Sequence, residues 1–391
     1  MMATPFSVNS DSLSNTGKFT KTKKGAIMPS TRVVPSYDIP EVEKTIRFIG
    51  LSSEFKSEKL DAKIVGAIRD CPGLTSLDLQ VYRICLKSAE VIGKALESQS
   101  NLKRVFWRLM FNFTDRKEIP QALSCLVKGI ATANAHIVAL NLSENSLDSG
   151  GMMGLKYFFE SPSSFNLEEL NLSFNLLGKE GAKLLSDFLS TSIRNSLKEG
   201  KPMKLKDFDC SYNDLGNDGI AFIAKCLEGL SSLESIDLAS NGIGSSGMTA
   251  LSNVFYSNPC LEKIILNINN LLEGGVNRLS SCLKDLGKLQ ILGLKHCRVG
   301  SSGVLHLALA MKDSCPELRK VDLSFNEIDS NVDMLLDAME NKKYFEDLDI
   351  SCNDFNEETE ISLLQRIFRM KRRVEMMASD DDMEVSDSDS D

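Results

Sequence analysis

The chain has 391 residues, with 45 Lys and Arg against 54 Asp and Glu and a net charge of −9. Seven of the acids and no base fall in 380–391, so the rest is close to neutral, which argues against a phosphate-neutralising nucleic-acid binder. No apolar run approaches the ~18 residues of a membrane span, the start (MMATPFSVNSDSLSN) has no basic-then-apolar signal pattern, and ten Cys with no CxxC pair or Cys/His cluster read as free buried thiols, with no metal site or cofactor.

Residues 1–40 are Ser/Thr/Pro-rich and carry Lys18, Lys21, Lys23, Lys24 and Arg32 against Asp11 and Asp38. They read as a disordered extension. From 41 to 373 the chain repeats one template: apolar, two variable, apolar, one variable, apolar, two variable, Asn or Cys, one variable, apolar. LEELNLSFNLL (167–177), LKDFDCSYNDL (205–215), LESIDLASNGI (233–243) and LRKVDLSFNEI (318–328) fit it, and IVALNLSENSL (137–147) does too. LTSLDLQVYRI (74–84) carries Tyr82 at the Asn position. Template starts at 74, 102, 137, 167, 205, 233, 261, 289, 318 and 345, plus a weaker opening unit over 44–70, give about eleven repeats. This is the leucine-rich repeat pattern. Its alternating apolar positions form a short strand whose inward side chains stack on the next repeat. The Asn amide bonds backbone of the turn and of the neighbouring repeat.

A segment of helical spacing follows each template. In 247–257 Met248, Leu251, Val254 and Phe255 share a face, as Leu184, Leu185, Phe188 and Leu189 do in 181–190. Gly150, Gly181, Gly219, Gly247 and Gly303 precede these segments and suit tight entry turns. The expected fold is an α/β solenoid of the ribonuclease-inhibitor type, with a parallel concave sheet and convex helices. Two insertions break the period, at 108–119 and at about 191–203, and read as loops gathered on one rim. Residues 374–391 form an acidic tail expected to be disordered, in which Ser386, Ser388 and Ser390 alternate with Asp, a context acidophilic kinases favour. Lys371, Arg372 and Arg373 read as a helix end or a localisation patch.

The three His (His136, His296, His306) sit in no catalytic pattern, and no GxxxxGK[ST] loop is present. His296 reads as a surface side chain. The sequons at Asn112, Asn141 and Asn171 have no secretory route. Variable strand positions place Asp78, Glu169, Asp207, Asp209, Asp237, Asp322, Asp347 and Asp349 on the inner face, against Lys263, Lys295 and Lys320. That face reads as acidic and suited to a basic partner patch. Phe174, Tyr212, Ile265, Ile268 and Phe325 are its apolar anchor candidates.

The segment NLKRVFWRLMFNFTDRKEIPQALSCLVKGI (101–130) resembles the corresponding segment of the Ran GTPase-activating proteins, through Leu102, Lys103, Arg104, Trp107, Met110, Phe111, Glu118, Ile119 and Pro120. The second insertion with GKPMKLK (200–206), then NDG (217–219), NGI (241–243) and NPCLEKIIL (258–266), is similar as well. The resemblance covers about 44–370. The further C-terminal domain of vertebrate members and the N-terminal targeting domain of plant members are not expected here.

The resemblance implies a monomeric crescent that binds GTP-bound Ran, with a Ran-binding protein as a further partner, and promotes GTP hydrolysis in nucleocytoplasmic transport. It implies a cytoplasmic place, at the nuclear envelope, without membrane insertion. It implies an activator with no catalytic site of its own, which orients the GTPase's glutamine and excludes water. Aligned on the motif, Thr114 takes the position of the family's loop Arg, with Arg116 two residues on. Phe174 takes that of the rim Asn. Tyr212, Asn213, Asp214, Leu215, Gly216 and Asn217 stand where the family has Arg-Asn-Arg-Leu-Glu-Asn. GTPase-binding candidates are Arg104, Arg108, Asn112, Thr114, Arg116, Lys117, Glu144, Phe174, Tyr212, Asp214 and Asp237. The alternatives are a scaffold that binds a GTPase without accelerating it, and an unrelated leucine-rich repeat adaptor.

Overall fold

A computed structural model describes residues 43–48, 58–80, 82–340 and 342–384. The extension 1–40 and the tail serines lie outside them. Eleven three-residue strands form one parallel sheet in chain order. They are β1 (Thr45–Arg47), β2 (Ser76–Asp78), β3 (Arg104–Phe106), β4 (Ala139–Asn141), β5 (Glu169–Asn171), β6 (Asp207–Asp209), β7 (Ser235–Asp237), β8 (Lys263–Ile265), β9 (Ile291–Gly293), β10 (Lys320–Asp322) and β11 (Asp347–Asp349). The helices between them are α1 (Glu58–Arg69), α2 (Leu86–Leu96), α3 (Ile119–Thr132), the short α4 (Asp148–Met152) and α5 (Lys156–Glu160), and α6 (Gly178–Lys198). Then come α7 (Gly216–Leu227), α8 (Ser245–Ser257), α9 (Leu272–Cys282), α10 (Gly300–Met311), α11 (Val332–Met339) and α12 (Glu357–Glu384). The solenoid and its eleven units are as the periodicity requires.

The register explains the template. The central residue of each strand forms one column: Ile46, Leu77, Val105, Leu140, Leu170, Phe208, Ile236, Ile264, Leu292, Val321 and Leu348, all buried. Each such side chain contributes roughly 1.5–3 kcal/mol of burial. The strand residues on either side point to the concave surface, because side chains alternate along a strand.

The Asn row works as the sequence implies. Asn213 Nδ2 donates to the carbonyls of Leu172 (2.9 Å), Cys210 (3.1 Å) and Ser211 (3.0 Å), while its Oδ1 accepts from the N–H of Asn175 (3.0 Å) and Leu177 (3.3 Å). Asn145, Asn175, Asn241, Asn269, Asn326 and Asn353 repeat this pattern across neighbouring repeats. Cys297 takes one place in the row, and its thiol donates to the Leu266 carbonyl (3.0 Å).

Several expectations are corrected. The second insertion is mostly extra helix, since α6 runs on to Lys198; SIRNSLK continues as good helix-forming sequence before Gly200 ends it with φ +70°. Gly181, Gly219, Gly247 and Gly303 lie inside first helical turns, where a Cβ would approach Leu177 Cβ (2.8 Å), Ala182 Cβ (3.2 Å), Asn217 Oδ1 (2.7 Å) and Val276 Cγ1 (3.2 Å). Gly219, Gly247 and Gly303 serve close packing between successive repeats, Gly181 makes room for Leu177 of its own repeat, and Gly178, Gly216 and Gly300 supply the left-handed entry instead. α12 continues to Glu384, so helix fills the start of the segment read as tail. Lys371 is therefore no helix end, and it pairs with Asp347. Cys85 and Cys352 are exposed rather than buried, though all ten thiols are free. Asp78 is buried, with Oδ2 accepting from Arg47 Nε at 2.8 Å, so it offers no open inner-face charge.

Candidate protein-docking rim

The residue before each ladder position turns the chain out of the strand. Leu109, Glu144, Phe174, Tyr212, Ser240, Ile268, His296, Phe325 and Cys352 all have φ between 50° and 59°. This left-handed region costs L-residues about 1–2 kcal/mol each. The next repeat holds them there: the N–H of Leu109 donates to Ser143 O, that of Glu144 to Ser173 O, that of Phe174 to Ser211 O and that of Tyr212 to Ala239 O. Their side chains consequently leave the body along one edge, and Phe174, Tyr212, Ile268 and Phe325 are exposed.

In this row the Phe174 and Tyr212 rings stack, with centroids 4.0 Å apart and planes 9° from parallel. One repeat earlier, Arg108 Nε and Nη2 both reach Glu144 Oε1, at 2.8 and 2.6 Å. An ion pair and an aromatic pair thus stand side by side on the rim, and both are partly exposed.

The first insertion sits beside the ion pair. Met110 and Phe111 are buried, and their N–H groups both donate to Asn145 Oδ1 (2.6 and 2.9 Å). The Ile84 N–H donates to Met110 O (3.2 Å), and Thr114 Oγ1 donates to Ile84 O. The loop is pinned to the repeats on both sides, which leaves Asn112, Phe113, Arg116 and Lys117 exposed. Arg116 Nη1 lies 3.9 Å from Asp148 Oδ2. Beneath it, α2 and α3 touch backbone to backbone, and a Cβ on Gly129 would overlap the Gly93 carbonyl oxygen.

Of the candidate residues, Arg108, Glu144, Phe174 and Tyr212 fall in one strip. Asn112, Thr114, Arg116 and Lys117 lie on the adjacent loop. Asp214 occupies a second left-handed row two residues along (φ 52°) with Leu176 (φ 56°). Arg104 and Asp237 lie on the concave floor. There Arg104 Nη1 reaches Glu169 Oε1 at 2.9 Å, across the intervening β4.

The inner acids prove to have a second job. Oδ1 of Asp209, Asp322 and Asp349 accepts the N–H two residues on, at 3.0, 3.0 and 2.9 Å, and Asp237 does the same with Ala239 at 3.0 Å. Asn141 and Asn171 do it in the preceding repeats and also bond the Ser hydroxyl. The two strand sequons are thus strand-end turns, with their amides engaged. Glu169, Asp207, Asp209, Asp237 and Lys263 line a concave depression of about 290 Å³. Burial pushes the Asp237 carboxyl up to about 6, and neighbouring Asp209 adds to the rise. Asp207 is raised for the same first cause.

Sequence reasoning missed the Arg83 guanidinium, 3.5 Å from the centroid of the exposed Phe113 ring. Among the described residues no group of three His, Cys, Asp or Glu is placed to hold a metal ion, and no helix is long and apolar enough to cross a membrane.

The leucine-rich repeat family model matches residues 133–156, 163–186 and 229–252. Ran GTPase-activating protein 1 of Xenopus laevis is 30% identical over 191 residues, 49% of this chain and 33% of the relative. The chain is a leucine-rich repeat protein similar to the Ran GTPase-activating proteins. Ran GTPase-activating protein 2 of Caenorhabditis elegans is 29% identical over 50% of this chain and 20% of its own length. The Ran GTPase-activating protein of Drosophila melanogaster is 32% identical over 44% of this chain and 29% of its own. The matched region thus spans a fifth to a third of these relatives. Among solved structures, the leucine-rich repeat-containing protein LegL7 of Legionella pneumophila aligns at 17% identity and a TM-score of 0.39, covering 75% of this chain and 87% of that one.

Proposed function

We propose that the chain docks a GTP-bound small GTPase of the Ran type on the rim from the first insertion to Tyr212, and stimulates its GTP hydrolysis in nucleocytoplasmic transport, in the cytoplasm at the nuclear envelope. The observation that carries this reading is the continuous strip of Arg108–Glu144 and Phe174–Tyr212 beside an exposed, firmly pinned loop. Arg, Tyr and Phe side chains held rigidly on an edge are the kind that dominate interface energies. The acidic floor next to them favours a partner with a basic patch and speeds encounter. The activator's part is orientation and water exclusion; the bond-breaking chemistry belongs to the GTPase.

In the Phe174–Tyr212 pair the Tyr212 hydroxyl is the one hydrogen-bonding side-chain group. It is the group that would orient the GTPase's water-positioning side chain, while the rings shield the site. The second reading, binding without acceleration, is favoured by Phe174 itself, since a phenyl ring has nothing to donate at the position where the resemblance expects an amide.

Single-turnover GTP hydrolysis by Ran at saturating chain separates the two. Acceleration that falls in Tyr212→Phe while affinity holds supports activation. Nucleotide-dependent binding with an unchanged hydrolysis rate establishes the scaffold reading. Binding that ignores the nucleotide would leave an adaptor of other specificity.

A further inference from the structure

The end of the solenoid carries an apolar surface that capping does not explain. A terminal repeat covers the core with one face and should turn a polar face to solvent. α12 does the first: Leu363, Ile367 and Met370 are buried, and Arg366 bonds Asp333, Asp337 and Glu340 of the preceding repeat. It fails the second. Ile361, Leu364 and Phe368 are 51%, 50% and 61% exposed. At spacings of three and four they form a stripe on one side of the helix, facing away from the buried set.

The same stripe carries Glu357 one turn before Ile361, Gln365 beside Leu364, and Arg372 one turn after Phe368. Its order is therefore Glu357, Ile361, Leu364, Gln365, Phe368, Arg372, and it is self-complementary when run against itself. If a second copy is laid antiparallel, with the two-fold axis between Leu364 and Gln365, Glu357 meets Arg372, Ile361 meets Phe368, and the two Leu364 side chains lie over the axis. A parallel arrangement would stack Glu357 on Glu357 and Arg372 on Arg372. The helix dipole adds to the preference, because antiparallel packing sets each acidic N-terminal end beside the other's basic stretch.

We propose that α12 is a self-association surface, and that its partner is a second copy of this chain packed antiparallel through Ile361, Leu364 and Phe368, with Glu357–Arg372 ion pairs closing both ends. An isologous patch of this kind is what a two-fold dimer requires. The stripe is about 22 Å long at 1.5 Å per residue, and one helix face per subunit falls at the low end of specific interfaces. The dimer is therefore reversible and concentration-dependent, in place of the monomer expected from the sequence. It lies at the opposite end of the chain from the first insertion and is independent of the GTPase reading.

Sedimentation of the full chain over a range of concentrations tests it. The mass should rise from 43.2 kDa to twice that value as concentration increases. Phe368→Glu, at an exposed position that the fold does not need, should raise the dissociation constant at least about tenfold. Glu357→Arg and Arg372→Glu should each weaken the dimer at low salt, and the two together in one chain should restore it, because an antiparallel pair brings the exchanged charges back into contact. A monomer at every concentration overturns the proposal, whether the stripe is then covered by residues 1–42 or by another protein. So does a dimer that ignores Phe368→Glu, or a double charge exchange that fails to restore association.

Discussion

Two rows of residues, one position apart in every repeat, divide the work of this molecule. Asn175 and Asn213 are fully buried and each closes bonds to backbone in two repeats. Phe174 and Tyr212, their immediate predecessors, hold the strained turn and project outward. The inner row holds to side chains that can bond this backbone, Asn in most repeats and Cys297 in one, because a buried backbone group left without a partner costs about 1–3 kcal/mol. The outer row asks only that the residue tolerate a left-handed turn, and it carries Leu, Glu, Phe, Tyr, Ser, Ile, His, Phe and Cys in successive repeats. Specificity can therefore vary on the rim without touching the scaffold.

The sharpest break of this contrast is Asn213→Ala. It removes donors to Leu172, Cys210 and Ser211 and leaves the Asn175 and Leu177 N–H groups unpaired. Chemical denaturation should show a loss of about 3 kcal/mol or more. Tyr212→Ala, one residue away, should lose about 1 kcal/mol from the ring stack while weakening GTPase binding. Cys297→Asn should move the other way. An asparagine there offers the acceptor that the ladder sets opposite the Asn269 N–H, and the thermal midpoint should rise by the equivalent of about 1 kcal/mol.

A pH-dependent effect belongs to Asp237. Its carboxyl titrates at about 6 in the fold against an ordinary 3.8, so the folded state binds the proton more tightly than the unfolded chain. This group's stabilising contribution is complete below about pH 4 and is lost as pH rises through 6. Asp237→Asn keeps an amide oxygen for the Ala239 N–H, as Asn171 does for Ser173. It should match the wild type near pH 4 and be more stable at pH 7 in paired denaturation curves.

The fold was legible because its signal repeats: a strand column, a buried Asn and a helical face recur about every 28 residues. The rim strip was legible in part. Phe174 and Tyr212 were singled out as anchors, but their stacking across a 38-residue gap depends on register that no local pattern encodes. The inner acids were read only in part, for a related reason. An Asp at a strand end reads as a surface charge, while its role in closing the turn appears only when the N–H two residues on is in place. The packing glycines were mistaken for turn glycines because both kinds stand within a few residues of each helix start. α12 was read only as far as its charges, since which of its two apolar faces is covered depends on the repeat beneath it.

The most direct test of the docking rim is a titration of Ran, loaded with a non-hydrolysable GTP analogue or with GDP, into the wild-type chain and into Phe174→Ala/Tyr212→Ala. The account predicts tighter binding of the GTP form and at least about a tenfold loss in the double variant with the fold unchanged. Equal binding of both nucleotide states, or a double variant that binds as the wild type does, would contradict it.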